Sequence, residues 1–247
     1  MYRKGLVVLL FIFSISLIPG SAVSYNPAYT IEAVAGSTPN INGVIASGEW
    51  NDASAISFNN TIVYVKQDGE NIYVAFNVSD NTVDPSQESV AVGIDVLNDG
   101  GSYPQSDDIC LYIIRDGTLL EAQGTTVPPN PSISGWNGAA YSTGGYWQAE
   151  FNITYTKVQI SRGEAKTLGV AFMIFDSAIG YAYFWPPMTP ESSGAPSNWG
   201  DLTSEANWIP EFPSVTFISL IITFTVFVVI FAERKLNKTI NSDHKVA

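Results

Sequence analysis

Oxygen ligands crowd one stretch of this sequence. Residues 93–108 read GIDVLNDGGSYPQSDD, which places Asp95, Asn98, Asp99, Asp107 and Asp108 within 14 residues, with Gly100-Gly101 free to bend between them. Calcium takes six to eight oxygens in flexible geometry, and such a loop supplies several. The spacing is not that of an EF-hand, because no glutamate closes it. The two readings are a structural Ca2+ site and a solvated acidic turn. A second set of candidate groups is aromatic: Tyr103, Trp136, Tyr141, Trp147, Tyr183, Trp185 and Trp199. A flat ring offers an apolar face on which a pyranose stacks, while nearby amides and carboxylates take its hydroxyls. Trp136 stands in a polar stretch, SGWNGAAY, and Trp185 precedes Pro186-Pro187. These two rings, with Asn137, Gln148 and Glu150 for the hydroxyls, make the candidate carbohydrate-binding set. The competing reading of each ring is that it fills a core.

Other chemistry is excluded by what the chain lacks. The one histidine, His244, lies near the C-terminus, so no Ser-His-Asp triad, Cys-His pair or His-ligated zinc can be built in the body of the sequence. Cys110 is the only cysteine, which rules out an intrachain disulfide, and its strand-like run DICLYII marks it as a small buried apolar residue. The stretch GVIASGEW, from Gly43 to Trp50, has the glycine spacing of a phosphate-binding loop. It fails on chemistry, because Glu49 and Trp50 stand where the lysine and hydroxyl residue must be. Glu49, Glu150 and the acidic loop offer carboxylates, but their pattern is structural and no enzyme is expected.

The elements that must position these groups are strands. Residues 1–24 carry Arg3 and Lys4, an apolar run and a small-residue exit, the form of a secretory signal. Residues 214–232 form an uncharged run of 19, about 28 Å as a helix at ~1.5 Å per residue, followed by Arg234, Lys235, Lys238 and Lys245. That length spans a membrane, and the basic flank puts the tail, residues 233–247, on the cytoplasmic side. Residues 25–213 then form an ectodomain with 5 Lys+Arg against 21 Asp+Glu, a surface that repels nucleic acid. Within it, β-branched and aromatic runs alternate with Gly, Asn, Asp and Pro. IVYVK and IYVAFNV are divided by QDGEN, a hairpin with its turn residues in place. Further runs begin at Ser89, Ile109, Trp147, Leu168 and Ala182, while residues 124–145 and 186–198 read as long loops. The fold class is therefore all-β, an antiparallel sandwich of jelly-roll type, plus one C-terminal transmembrane helix. Asn-x-Ser/Thr triplets at Asn59, Asn77 and Asn152 are candidate glycosylation sites.

The stretch PNINGVIASGEWNDASAISF resembles the opening of carbohydrate-binding module family 9 and of the wider DOMON-like sandwiches. Ile41-Asn42-Gly43-Val44 and Gly48-Glu49-Trp50-Asn51-Asp52-Ala53 supply the phrase, with Asn42 in place of the usual aspartate. The likeness continues in order through residues 65–80, 93–108, 145–153 and 168–178 to NWGDL, and covers roughly 38–203. It implies a sandwich domain over 38–203, after a lead-in over 25–37 and before a proline-containing linker over 204–213. In that frame Gly43 makes a tight turn and Trp50 plugs the end of the sandwich. The resemblance implies a non-catalytic module whose partner is a glycan, and the signal and the apolar run near the C-terminus make it extracellular and membrane-anchored. Two alternatives stand beside it. One is a ligand-free surface or envelope protein of archaeal type, suggested by WIPEFPSV before the anchor. The other is a haem domain of the DOMON kind, which would have to use Met173 or Met188 with Lys66.

Overall fold

The computed structural model describes residues 28–80, 87–125, 134–143 and 145–209. The expected signal, the membrane span, the basic tail and the end of the linker lie outside the described residues. Among the described residues no helix is long and apolar enough to cross a membrane. In chain order the strands are β1 (Thr30–Glu32), β2 (Val34–Ala35), β3 (Ser54–Phe58), β4 (Thr61–Gln67) and β5 (Asn71–Val78). There follow β6 (Ser89–Asp95), β7 (Ile109–Ile114), β8 (Leu119–Gln123) and β9 (Trp136–Thr143). The last are β10 (Tyr146–Thr154), β11 (Leu168–Asp176), β12 (Tyr181–Trp185) and β13 (Gly200–Thr203).

These strands form two sheets. One has seven strands in the order β1-β13-β11-β6-β7-β8, with β12 also on β11; the other has six in the order β2-β4-β5-β10-β9, with β3 also on β4. The sandwich read from the sequence is present, with one refinement: β1 runs parallel to β13 and β2 parallel to β4. The chain thus passes from one sheet to the other at Ala33, which is fully buried between them.

The two-residue period of the strands decides which side chains meet between the sheets. Val63 and Val65, then Ile72, Val74 and Phe76, face Val90, Val92, Leu111, Val170 and Phe172 across the interior. Phe76 is the hinge of this packing, with ring centroids 5.7 Å from Phe151 and 5.9 Å from Phe172. The β4–β5 hairpin is where the turn chemistry put it. Asp68 Oδ1 accepts the N–H of Glu70 and of Asn71, and Gly69 takes the left-handed φ of 87° that a side chain would resist. Asn59 and Asn60, both at positive φ, turn β3 into β4.

Two expectations are corrected. Residues 124–145 are not one long loop, because β9 lies within them and closes the edge of the six-stranded sheet. Its inward positions are Trp136, Gly138 and Ala140, a weak pattern because Gly138 is held to a hydrogen atom: a Cβ there would sit 2.5 Å from Ile113 Cδ1. Trp50 does not plug the end of the sandwich. It packs with Tyr73, Ala75, Ile41 and Ile45 in a second small core on the outer face of the six-stranded sheet.

Candidate functional site

Both faces of the seven-stranded sheet are covered. In β6 the residues Val90, Val92 and Ile94 point inward, which turns Ala91, Gly93 and Asp95 outward. The same alternation turns Cys110 and Tyr112 of β7, and Ala171 and Met173 of β11, to that outer face. The outward residues at the centre are small, so the face is hollow. A cavity of about 200 Å³ lies over Ala91, Gly93, Ala122 and Ala171, flanked by Tyr112, Met173 and Phe184. Trp199 lies over its floor, where a Cβ on Gly93 would come 3.1 Å from the indole Cη2. The indole N–H donates to the Ser193 carbonyl at 2.9 Å, which fixes the ring. Pro104 and Asp108 form one lip, Ser193 and Gly194 the other.

Polar groups in this groove are few. Cys110 is half-buried rather than sealed in a core, on the same outer face of β7 as Tyr112. Burial pushes the thiol up to about 11, so it stays protonated at neutral pH and is no nucleophile. The Tyr112 hydroxyl is raised too, chiefly by the charge Cys110 would carry and then by burial. Asp108 is 2% exposed; its Oδ2 accepts the Gln105 N–H, and its Oδ1 has no hydrogen-bond partner among the described residues. Burial, then the charges of Asp95, Asp107 and Asp99, push its carboxyl up to about 7 against the pull of the Gln105 N–H.

The acidic loop sits beside the groove. One carboxylate oxygen from each of Asp95, Asp99 and Asp107 falls within 4.8 Å of the others, with Asp95 buried, Asp99 exposed and Asp107 between. Asp95 accepts the N–H of Gly100 at 2.9 Å and of Asp99 at 3.4 Å. Its carboxyl is nevertheless raised, by burial first and by Asp99 and Asp107 as well. None of the four ion pairs among the described residues involves an aspartate of this loop. Three convergent carboxylates and a buried fourth beside them are a donor set that fits a hard, oxygen-seeking cation. Asn98, also among the sequence-derived ligands, is buried, and its amide N–H donates to Asp201 at 3.2 Å.

The residues expected to bind sugar are not brought together. Trp136 is 6% exposed, stacked on Phe151 at 5.9 Å and 19°, with its indole N–H on Glu121 Oε2 at 2.8 Å. A ring so placed offers no free face, and the core reading holds for it. Trp185 is half-buried and stacked on Phe172 at 5.6 Å. Asn137 is exposed on β9. Gln148 accepts the N–H of Ile45 at 3.1 Å and donates to Asn77 at 3.3 Å. Glu150 is fully buried and accepts three donors: the N–H of Asn42 at 3.0 Å, that of Gly43 at 2.8 Å and Trp50 Nε1 at 3.0 Å. Burial holds its carboxyl above the usual range despite those bonds. Gln148 and Glu150 thus pin the opening segment to the outer face of the six-stranded sheet, with their hydrogen bonds directed to the protein itself.

The remaining assignments divide in the same way. Asn59 is exposed on its turn, whereas Asn77 and Asn152 are half-buried on the outer face of the six-stranded sheet. Met173 faces the groove on one side of the sandwich. Lys66 lies on the other sheet, buried under Trp50 and bonded to Asp52 Oδ1 at 2.8 Å and the Glu49 carbonyl at 2.6 Å. That separation removes Met173 with Lys66 as a haem pair. Trp199 was among the aromatic candidates; Tyr112, Phe184 and the small floor residues were missed. The available signal was Ala91-x-Gly93 and Gly169-x-Ala171, small residues on the strand faces opposite to Val and Ile.

No protein-family profile matches the sequence, and no curated protein matches it. Solved structures do. A family 9 carbohydrate-binding module from Caldicellulosiruptor kristjanssonii, in complex with cellotriose, aligns with a TM-score of 0.55 at 18% identity, over 74% of this chain and 100% of its own. The module from the same organism in complex with glucose aligns with a TM-score of 0.54 at 18% identity, over 71% of this chain and 95% of its own. A Bacteroides uniformis protein proposed to bind carbohydrate aligns with a TM-score of 0.50 at 14% identity, over 72% and 99%. At such identities the likeness is one of fold: this chain has a sandwich like that of the family 9 modules.

Proposed function

We propose that this chain is a non-catalytic saccharide-binding module displayed outside the cell, with the groove on the seven-stranded sheet as its site. The observation that carries the reading is the groove's build: a floor of small residues and a wall of Tyr112, Phe184 and Trp199. The floor and wall suit the apolar face of a sugar ring. At about 200 Å³ the space is below the ~300–1,000 Å³ of drug-sized pockets, which suits a ring or two rather than a long chain. The glucose and cellotriose held by the family 9 neighbours support the same ligand class. The reading is non-catalytic because glycoside hydrolysis uses a pair of flanking carboxylates, and Asp108 is the one carboxylate among the described residues lining the groove.

Calcium belongs to the proposal as a structural ion on Asp95, Asp99 and Asp107, where it would neutralise crowded carboxylates. Anchoring rests on the sequence alone: residues 214–232 would span the membrane and array many weak sites on one surface, so avidity holds a polymer. Protease added to intact cells then removes the domain and spares a tag at Ala247; loss of the tag contradicts the orientation. The binding test is titration of the purified full-length protein with glucose, cellotriose and a panel of other soluble oligosaccharides. Ala171→Leu fills the floor and Tyr112→Ala opens the flank, and each should weaken binding at least tenfold with the fold intact. Absence of binding across the panel, or binding indifferent to both substitutions, overturns the assignment.

A further inference from the structure

The acidic loop and the groove share their walls. Gly101, in the middle of that loop, is bonded to Ser197 three times: its N–H donates to Ser197 Oγ at 2.9 Å, and its carbonyl accepts the Ser197 N–H at 3.2 Å and Oγ–H at 2.7 Å. Ser197 sits in the 3-10 turn Pro196–Asn198, which immediately precedes Trp199. On the other side, Asp99 Oδ1 accepts the Gln105 amide at 2.8 Å, and the same amide reaches the Gly100 carbonyl. Gln105 lies next to Pro104, on the opposite lip of the groove. One lip therefore hangs from Gly101 and the other from Asp99.

A cation belongs at the origin of both connections. Asp95, Asp99 and Asp107 present like charges at short range, and their repulsion drives the loop apart unless a counter-charge holds it. Asp108 is an independent sign of one. It is buried, it follows Asp107 directly in the chain, and its Oδ1 has no hydrogen-bond partner among the described residues. We infer that a divalent cation on Asp95, Asp99 and Asp107 sets the shape of the groove through Gly101–Ser197 and Asp99–Gln105, so that the groove is formed for its ligand only when the loop is loaded. This rests on the reading of the groove as a saccharide site for the identity of the ligand, though not for the mechanical link. Linkage then works both ways: whatever factor calcium adds to saccharide affinity, saccharide adds to calcium affinity, typically about 5- to 150-fold.

Cys110, the only cysteine and a lining residue of the groove, reports on the link without any sugar. The rate of maleimide labelling is measured on the full-length protein in calcium, in magnesium and in chelator, alongside the unfolding midpoint. Calcium should slow labelling at least fivefold and raise the midpoint; Asp99→Asn should lose both effects. Ser197→Ala, which keeps the loop carboxylates, should keep the rise in midpoint and lose most of the protection of Cys110. A midpoint that calcium does not move, a midpoint that moves while labelling stays constant, or full protection in Ser197→Ala overturns the inference. Saccharide titration separates it from the reading beneath it. Equal binding with calcium and with chelator refutes the link and leaves the saccharide site standing. Protection of Cys110 by calcium, with no saccharide bound under any condition, upholds the link and refutes the ligand.

Discussion

Glu150 separates a sugar ligand from a structural pin, and its removal has a calculable cost. In Glu150→Ala the N–H groups of Asn42 and Gly43 and the indole N–H of Trp50 lose their common acceptor. An orphaned buried donor costs ~1–3 kcal/mol. Simple addition would give a maximum of ~9 kcal/mol, but two effects reduce it. Deleting the carboxylate also removes its desolvation penalty, which is large enough to raise its carboxyl. Asn42 is exposed, so water can reach its freed N–H. The net is then about 3–5 kcal/mol, the usual cost of removing one side of a buried charged arrangement. For a domain of this size each kcal/mol lowers the midpoint by ~2–4 °C, so a fall of about 10 °C is expected in thermal unfolding of the full-length protein. Glu150→Gln keeps the shape but turns an amide NH2 toward donors, and should cost about 1–2 kcal/mol. Saccharide binding measured well below either midpoint should be unchanged. An Ala variant that unfolds with the wild type, or one that keeps its midpoint and loses binding, refutes the pinning role and restores Glu150 to the sugar.

Trp136→Ala should destabilise by about 3–5 kcal/mol, since it empties the stack on Phe151 and takes the donor from Glu121 Oε2, while Trp136→Phe costs less; saccharide titration of the Phe variant should match the wild type. Asp52 gives an acid-sensitive contribution. Burial alone would raise its carboxyl, but the hydrogen bonds from Lys66 and from Ser37 outweigh burial and hold it at about 2. A depressed acid stabilises the fold above its ordinary value near 3.8 and loses that contribution as pH falls toward 2. Unfolding midpoints of Asp52→Asn should therefore fall below wild type at pH 6 and converge with it near pH 2; a constant gap contradicts the assignment. Calcium at a hundredfold excess over its dissociation constant should add ~2.7 kcal/mol, seen as a midpoint several degrees higher than in chelator, and Asp95→Asn should abolish the difference.

The legible parts of the sequence were those where one residue's chemistry decides its own place. Asp68-Gly69 makes the β4–β5 turn because the carboxylate bonds to nearby N–H groups and glycine accepts the backbone twist. The alternation of Ile72, Val74 and Phe76 fixes a face for the same local reason. The groove was not legible, since its floor brings together Ala91, Gly93, Ala122 and Ala171, residues whose meaning is the space they leave. Trp136 and Trp199 show the limit for side chains with a clear chemistry. Both indoles are nearly buried, and both N–H groups are satisfied, one by Glu121 and one by the Ser193 carbonyl. Only the tertiary neighbours put the first between the sheets and the second over Gly93.

Carboxylates, too, are told apart by their partners. The chain carries 23 acidic residues, and the buried ones each have to be satisfied where water is excluded. Glu88 takes the N–H and Oγ–H of Ser177, Glu121 takes Trp136 and Lys157, and Asp201 takes Asn98. Glu150 takes three donors from the opening segment. Each of these joins distant parts of the chain, which is what a buried carboxylate does when it holds a fold together. Asp95 and Asp108 differ. Their donors are the backbone N–H groups of their own loop, and they lie beside further aspartates. Neutral peptide dipoles cannot offset several like charges crowded at one place, whereas a divalent cation can. The same fold thus uses carboxylates as staples in both sheets, Glu121 and Asp201 in the seven-stranded one and Glu150 in the six-stranded one, and leaves Asp95, Asp99, Asp107 and Asp108 concentrated in one loop beside the proposed groove.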